Sequence, residues 1–499
     1  MKAQVEQLTL LLEEQGEVAH DVHEQDERLH TRTVVSEAAT EAKLEVDVAE
    51  LEIDAVGIAK VDVVGATKVG TASAAKSAMS IMESRSGIAT ENEGTVPTYA
   101  GTRRGEAPVL LPGATIGLLG GGQLGRMLAL EGLRMGYRFA SLDPLPNGPA
   151  AAASSAITAD YGDSLAAQQL AERSDVITYE FENVSAAAVE QLERMAYVPQ
   201  GSDLLRLSQH RVREKEALTA AGIPIAPYAA VSSAEEVLRQ VEAFGGKGVL
   251  KTATGGYDGK GQRMIHHPDE AGEAYAALAE MKRSVDAVGP ELVLEAFVPF
   301  VQELSVIAAR NPNGDIATFP VAENIHQHHI LHMSIVPARI PQHVQAEAER
   351  LAHKVAEALG VVGLIAVEMF RTADDELLVN ELAPRPHNSG HYTMDACRTS
   401  QFEQHIRAIC NLPLGDPSMT TPVVMVNLLG EHQDDMLQWF GKDDPAAKRY
   451  GVTPKLHWYG KSEAKAMRKM GHINVLASTT DAALAWVKET NMWRNNEHD

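Results

Sequence analysis

Cysteine is scarce: the 499 residues contain two, Cys397 and Cys410. That excludes a disulfide-scaffolded domain and a cysteine-based zinc site. One bridge between the two thiols stays open, and so low a count fits a reducing cytosol. Long apolar runs are also missing, and none reaches the roughly 20 residues of a membrane-spanning helix. Positive charge is the minority sign, with 44 Lys and Arg against 68 Asp and Glu and a net charge of −24. General nucleic-acid binding needs the opposite balance, because its affinity comes from releasing counterions to a basic surface. Apolar content of 44% and charged content of 22% are nonetheless those of a soluble globular protein. The length exceeds what one core can fill and predicts about three domains.

Aromatic residues make up 5% of the chain, and residues 1–112 contain one of them, Tyr99. This segment carries about twice as many acidic as basic residues. Between Gly65 and Gly105 it is rich in Ala, Ser, Thr and Gly, which offer too little apolar bulk to offset the entropy of ordering. Residues 1–112 therefore read as an acidic, disordered extension. Gln4 to Gln15, with Val5, Leu8, Leu11 and Leu12, retain the spacing of a short amphipathic helix that could meet a partner. The acid content is wrong for an organellar transit peptide, and no secretory hydrophobic core is present.

The texture changes at Ala114. An apolar run, Thr115 to Leu119, leads into Gly120-Gly121-Gly122-Gln123-Leu124-Gly125 and a helical pattern from Met127 to Met135. Tyr137 to Leu142 reads as the next strand and ends at Asp143. Gly-x-Gly-x-x-Gly between strand and helix, with an acid closing the second strand, is the pattern of a dinucleotide site and of an NAD-binding oxidoreductase. The same glycines also serve a tight turn and close helix–sheet packing, and the helix N-terminus suits an anion of any kind. Further units follow: strand Val176 to Phe181, helix Val184 to Ala196 and strand Tyr197 to Pro199. Residues 113–206 thus read as a Rossmann-like α/β domain.

A helix from Ser208 to Ala221 and an α/β unit from Ser233 to Phe244 precede the strand Gly248-Val249-Leu250. That strand runs into Lys251-Thr252-Ala253-Thr254-Gly255-Gly256-Tyr257-Asp258-Gly259-Lys260-Gly261-Gln262. So many glycines let backbone amides approach phosphate oxygens closely. The pattern differs from a Walker loop, since Arg263-Met264-Ile265 continues as a strand rather than a helix. Strand, glycine loop and strand make a phosphate flap over 251–265, or else a plain hairpin with surface lysines.

The segments Leu364 to Phe370 and Leu377 to Leu382 read as two strands of a hairpin. A two-residue turn at Asp374-Asp375 sets Ala373 opposite Glu376 and, counting outward, Glu368 opposite Glu381. Opposed residues have Cβ atoms about 5 Å apart, where like charges repel. The pair calls for a cation between them, and hard oxygen ligands favour Mg²⁺ shared with a nucleotide. Exposure of both acids to solvent is the other reading. His328, His329 and His332 flank Ile330-Leu331 and look like an exposed strand rather than a metal site.

Five motifs now stand in order: Gly120 to Met127, Thr254 to Gln262, Glu323-Asn324-Ile325-His326-Gln327, Asn380 to Thr393, and Arg468 to Asn474. From Ala114 to about Val487 the chain resembles the N5-carboxyaminoimidazole ribonucleotide synthetases, the ATP-dependent subunits of phosphoribosylaminoimidazole carboxylase within the ATP-grasp superfamily. The resemblance implies an ATP-grasp fold over 207–415 and a small C-terminal domain over 416–499. It implies ATP-dependent carboxylation of 5-aminoimidazole ribonucleotide by bicarbonate through carboxyphosphate, with Mg²⁺, in a cytoplasmic homodimer. By the same resemblance Arg211, Lys251, His326, Asn380 and Glu381 contact ATP, and the flap residues Gly256, Tyr257, Asp258, Gly259, Lys260, Gly261 and Gln262 cover it. Glu295 with the backbone of Ala296, Phe297 and Val298 matches the adenine hinge, and Glu303 the ribose ligand. Glu368 and Glu381 match the metal ligands. Tyr257, Asp258, Lys260, Lys461 and Arg468 match positions that hold the ribonucleotide, and Asp258, Lys260 and Lys251 are the implied catalytic groups. Some eukaryotic relatives add a mutase domain, whereas after Leu414 only a small domain is expected here. The nearest rival is another purine-pathway ATP-grasp ligase such as formate-dependent glycinamide ribonucleotide transformylase.

Overall fold

The computed structural model describes residues 52–53, 59–60, 107–255, 260–280 and 292–493. The chain divides into two units, Met1–Thr95 and Val96–Asp499. In the first, Glu52–Ile53 pairs antiparallel with Ala59–Lys60. The expected helix at Gln4 to Gln15 and the linker between Gly65 and Gly105 lie outside the described residues. Residues 107–112, assigned above to the extension, belong to the second unit and pack on it. The Leu110 amide donates to the Cys410 carbonyl (3.0 Å), and Tyr137 and Asn411 bond the carbonyls of Leu110 and Ala107. Ala107 and Leu110 also cover part of the core, so the apolar content of this short stretch is used.

A four-stranded parallel sheet comes first, in the order Ser155–Thr158, Arg138–Asp143, Thr115–Leu119, Val176–Tyr179. The strands Thr115–Leu119 and Val176–Tyr179 are buried on both faces, as apolar runs without alternation require. The helix Gln123–Arg134 sits close because Gly132 leaves room for the Phe139 ring; a Cβ there would lie 2.3 Å from it. Tyr197 to Pro199 is not a strand. It runs past the sheet with the bond from the Ile177 amide to the Tyr197 carbonyl, 2.9 Å, and Pro199 has no amide to extend a ladder. The helix expected from Ser208 begins instead at Arg211 and ends at Ala220, after a separate turn of helix over Asp203–Ser208.

A four-stranded antiparallel sheet follows, ordered Tyr228–Val231, Leu292–Ala296, Gly248–Thr252, Gln262–Ile265. The last two strands carry the glycine loop between them, as the flap and the plain-hairpin readings both expect, with Lys251 opposite Gln262.

The largest sheet has nine strands. It runs from Leu377–Ala383 through Gly363–Thr372, Phe300–Arg310, Ala322–Gln327 and Ile330–Val336, then continues into Val423–Leu429, Lys469–Leu476 and Thr453–Trp458, with the ninth strand, Ile316–Thr318, paired to Phe300–Arg310 off this path. Residues 416–499 therefore do not form a sheet of their own; Met333 opposes Val426 and the ladder is unbroken. His328 and His329, expected in a strand, form a turn with φ of 49° and 64°. Such left-handed pairs suit the twist of a two-residue hairpin.

The hairpin of the two acids reaches the expected pairing by a different route. Arg371 opposes Leu377, so the turn is Ala373-Asp374-Asp375 around the bond from the Thr372 amide to the Glu376 carbonyl (2.9 Å), with Asp375 at φ 66°. That register is one residue off the count made from a two-residue turn. A bulge between Glu368 and Met369 on the ladder, with Asn380 as the extra residue, restores it and sets Glu368 opposite Glu381.

The core under this sheet is built by the helix Gln342–Ala358, whose Val344, Ala348, Leu351, Ala352, Val355 and Ala356 form one apolar stripe. They pack on Leu304, Val306, Ile365 and Val367. Leu351 is fully buried, so Leu351→Ala should cost about 2–5 kcal/mol. Chemical denaturation checks this through a lower midpoint at unchanged slope.

Candidate active site

The three sheets meet around a cleft of about 330 Å³ whose walls include Arg211, Lys215, Lys251, Glu295, Asn380 and Glu381. At its floor the Glu295 carboxylate lies between two ammonium groups, Lys215 at 3.2 Å and Lys251 at 3.0 Å. Lys215 and Glu295 are 2% and 4% exposed, so neither charge could persist there alone. Burial works to raise the Glu295 carboxyl, but Lys251 and Lys215 outweigh it and hold it below the ordinary range. Two cations against one carboxylate leave the floor net positive, which suits a polyphosphate. Lys215 was not among the expected site residues. Its signal was present: it lies four positions after Arg211, on the same face of the helix.

Arg211 fixes one root of the glycine loop. Its guanidinium donates to the carbonyls of Thr252 (2.9 Å) and Gly255 (2.6 Å), and its amide to that of Ala253 (2.8 Å). At the other root, the Gly261 carbonyl accepts from the Thr252 amide (2.9 Å), with Gly261 at φ 75°. Lys260 is exposed and Gln262 half-buried. Gly256, Tyr257, Asp258 and Gly259 lie outside the described residues. In the expected adenine hinge, the amides of Ala296 and Phe297 donate to Pro227 (2.8 Å) and Lys247 (3.4 Å), Val298 is buried, and the Phe297 ring is 40% exposed.

Strand register places the remaining acids. Glu381 opposes Glu368, Glu368 opposes Ser305, and Glu303, two residues from Ser305, opposes Asn324, two residues from His326. Opposed residues share a face and period-2 neighbours repeat it, so Glu381, Glu368, Glu303 and His326 all project to one side. His326 Nδ1 bonds Glu303 Oε2. Burial pulls the imidazole down, but Glu303 raises it above the ordinary value. Burial and then the charge of Glu381 push the Glu368 carboxyl up. His387 Nε2 lies 3.3 Å from Glu368 Oε1, though burial and Arg385 keep that imidazole neutral. Beside the acids, Asn380 Oδ1 is buried with no hydrogen-bond partner. Repelling carboxylates and an orphaned oxygen have the chemistry that could hold a hard cation.

A second cavity of about 230 Å³ adjoins the first, and Glu182 and Asn183 line both. Its wall includes Gln123, Arg385, His391, Tyr459 and Lys469. Lys461 and Arg468, expected to hold the ribonucleotide, are not among the residues lining this cavity. Lys461 Nζ donates to the Lys469 carbonyl (2.6 Å) and lies 5.7 Å from the Tyr459 ring centre. Burial, then Arg468 and Lys469, bring Lys461 down to about 8. Arg385 holds Glu182 through two bonds, the longer 2.9 Å. Arg385 and Lys469 had no expected role, although both lie inside or beside the motifs quoted above.

The glycine loop holds no room for a dinucleotide. Glu180, fully buried, accepts from the amides of Gly122 (2.5 Å) and Gly125 (2.6 Å), and Asp143 accepts from Gly121 (2.7 Å). A Cβ at Gly122 would lie 2.5 Å from the Glu180 carboxylate. The amides that would take a pyrophosphate already hold carboxylates, which removes the basis of the oxidoreductase reading.

Comparison with known proteins agrees with this geometry. Residues 113–209 match the ribonucleotide synthetase preATP-grasp domain, 216–402 the ATP-grasp domain, and 423–485 the phosphoribosylaminoimidazole carboxylase C-terminal domain. The N5-carboxyaminoimidazole ribonucleotide synthase of Bacillus subtilis is 48% identical over 391 residues, covering 78% of this chain and 98% of that one. The chain belongs to the N5-carboxyaminoimidazole ribonucleotide synthase family. The Brucella melitensis synthase is 44% identical over 372 residues, 74% of this chain and 98% of its own. An ADP complex of an N5-carboxyaminoimidazole ribonucleotide synthetase superposes with a TM-score of 0.72 at 49% identity, covering 77% and 98% of the two chains. The Aspergillus clavatus synthase with ADP and 5-aminoimidazole ribonucleotide gives 0.66 at 30%, over 76% and 97%. Members of this synthase family are ATP-grasp ligases, and among the described residues no helix is long and apolar enough to cross a membrane.

The Glu295 pair of ion bridges makes a pH prediction. A carboxyl held below its unfolded value stabilises the fold above the ordinary carboxylate range, and that contribution is lost as pH falls through the folded value. Glu295→Gln should therefore lower stability by about 3–5 kcal/mol near neutral pH. The gap from the parent should shrink on acidification below pH 4.5, the ordinary value. Urea unfolding at pH 7 and pH 4 measures both.

Proposed function

We propose that this chain carboxylates 5-aminoimidazole ribonucleotide with ATP and bicarbonate, giving N5-carboxyaminoimidazole ribonucleotide, ADP and phosphate in de novo purine biosynthesis. The observation that carries the reading is the pair of cavities joined at Glu182 and Asn183, one with a cationic floor and opposed acids. A bicarbonate oxygen attacks the γ-phosphorus, the bond to ADP breaks, and carboxyphosphate forms. The ribonucleotide amine then attacks its carbon, directly or as released CO₂, and phosphate leaves. No covalent nucleophile on the protein is needed; alignment, charge neutralisation and exclusion of water suffice.

Lys251 and Arg211 serve the phosphates, with Lys215 and Glu295 keeping Lys251 in place. Gly256, Tyr257, Asp258, Gly259, Lys260, Gly261 and Gln262 close over them. The backbone of Ala296, Phe297 and Val298 meets adenine, while Glu303, His326 and Asn380 serve the rest of the nucleotide. Glu368 and Glu381 would hold Mg²⁺, which would supply charge neutralisation for the phosphates when bound. Tyr257, Asp258, Lys260, Lys461 and Arg468 hold the ribonucleotide, with Asp258, Lys260 and Lys251 as catalytic groups. The enzyme is further taken to act in the cytoplasm, which suits its two free thiols, and as a homodimer, which rests on the family resemblance.

Two measurements test this. Glu381→Gln should cut turnover by about a hundredfold or more with melting temperature unchanged; near-normal turnover at limiting Mg²⁺ contradicts the metal assignment. With ¹⁸O-bicarbonate in short incubations, label should reach phosphate only when aminoimidazole ribonucleotide is present. Label from ¹⁸O-formate with glycinamide ribonucleotide, and none from bicarbonate, would move the chain to the rival ligase.

A further inference from the structure

The loop 459–468 leaves the sheet between Thr453–Trp458 and Lys469–Leu476 and carries Lys461 and Arg468. Much of what holds it is internal or to its own flanking strand: Arg468 Nη1 to the Glu463 carbonyl (2.9 Å), the Arg468 amide to the Lys465 carbonyl (3.0 Å), and Lys461 to the Lys469 carbonyl at the strand's start. Two external contacts come from one place, the turn after the strand Val423–Leu429. The Glu431 carboxylate accepts from the Met467 amide at 2.8 Å. Beside it, a Cβ at Gly430 would lie 2.1 Å from the Lys465 carbonyl oxygen and 2.6 Å from its carbon. Gly430 is outside the left-handed region, so closeness alone, not backbone conformation, requires glycine there.

Register explains why this turn meets this loop. Leu429 opposes Lys469 across a bulge, so residues 430 and 431 run on beside 465 to 468. Met467 has φ 61°, which residues other than Gly, Asn and Asp seldom adopt. A charged acceptor on its amide favours that conformation over the alternatives. His432 in turn braces the turn itself, accepting from the Leu429 amide at 3.0 Å.

We infer that Gly430 and Glu431 are positioning residues that set the loop 461–468 and thereby the affinity for the ribonucleotide. This rests on the assignment of Lys461 and Arg468 to that substrate. The pair touches no substrate itself; it fixes where two cations stand. Because the loop lies apart from the Lys215–Glu295–Lys251 floor, ATP binding should not depend on it.

Steady-state kinetics of the full chain test this with Gly430→Ala, Glu431→Ala and Glu431→Gln beside Lys461→Ala. Gly430→Ala and Glu431→Ala should raise KM for aminoimidazole ribonucleotide about tenfold, with KM for ATP within about twofold. Glu431→Gln keeps an acceptor oxygen and should recover most of the loss. Should Gly430→Ala fail to fold, the two Glu431 variants decide. If Lys461→Ala raises the ribonucleotide KM while the Glu431 variants do not, or if they raise both KM values equally, the positioning role is wrong. If Lys461→Ala leaves that KM unmoved, the assignment of the loop to the ribonucleotide falls, and this inference with it.

Discussion

Backbone hydrogen bonding between Ile330–Val336 and its two neighbours is the constraint on which the arrangement rests. That strand pairs on one side with Ala322–Gln327 and on the other with Val423–Leu429. Through it the ladder of the acid hairpin and the ladder beside the loop 459–468 become one sheet. A slip of one residue would turn every side chain of a strand to the other face. Glu303, His326, Glu368 and Glu381 therefore owe their common side to register, and the bond between His326 and Glu303 is an attraction added to it. Three of the four are like charges, and mutual repulsion would separate them were the backbone free.

The stability of the sheet is thus used to hold charges where they repel, and the same holds for the floor of the cleft. There the direction is reversed: two lysines share one carboxylate, and the surplus charge is positive. Opposite imbalances meet in one cavity, where Asn380 and Glu381 share the wall with Lys215 and Lys251. A ligand carrying both negative charge and a cation meets both needs at once. Nucleotide triphosphates with a divalent ion have that character.

Much of this could be read from residues alone, and the misses have physical causes. The strand, glycine loop and strand over 248–265 were legible because glycines cluster between two short apolar runs. The pairing of Glu368 with Glu381 was reached, but through a compensation: the turn is one residue longer than counted, and the Asn380 bulge returns the register. Bulges leave no reliable mark in a single sequence, since Asn380 is an unremarkable strand residue. Lys215 went unnoticed because a lysine four residues after an arginine also fits an ordinary solvated face; only its 2% exposure tells them apart. The continuity of the large sheet was hidden for another reason. Its joining strands are separated by the helix Gln342–Ala358, the acid hairpin and the helix Gln401–Ile409, and local patterns say nothing about pairing across such a distance.

Glu180 leads to a wider point. A glycine loop at a helix N-terminus is read by convention as an empty receptacle, yet here the receptacle and its contents are encoded in the same chain. Recognition has been internalised: what is a transient, exchangeable guest in a dinucleotide-binding protein has become a permanent tenant joined by covalent backbone. The glycines persist under either arrangement, since both need the same bare amides. A glycine fingerprint therefore reports the shape of a backbone and leaves open whether its occupant arrives from solution or was built in.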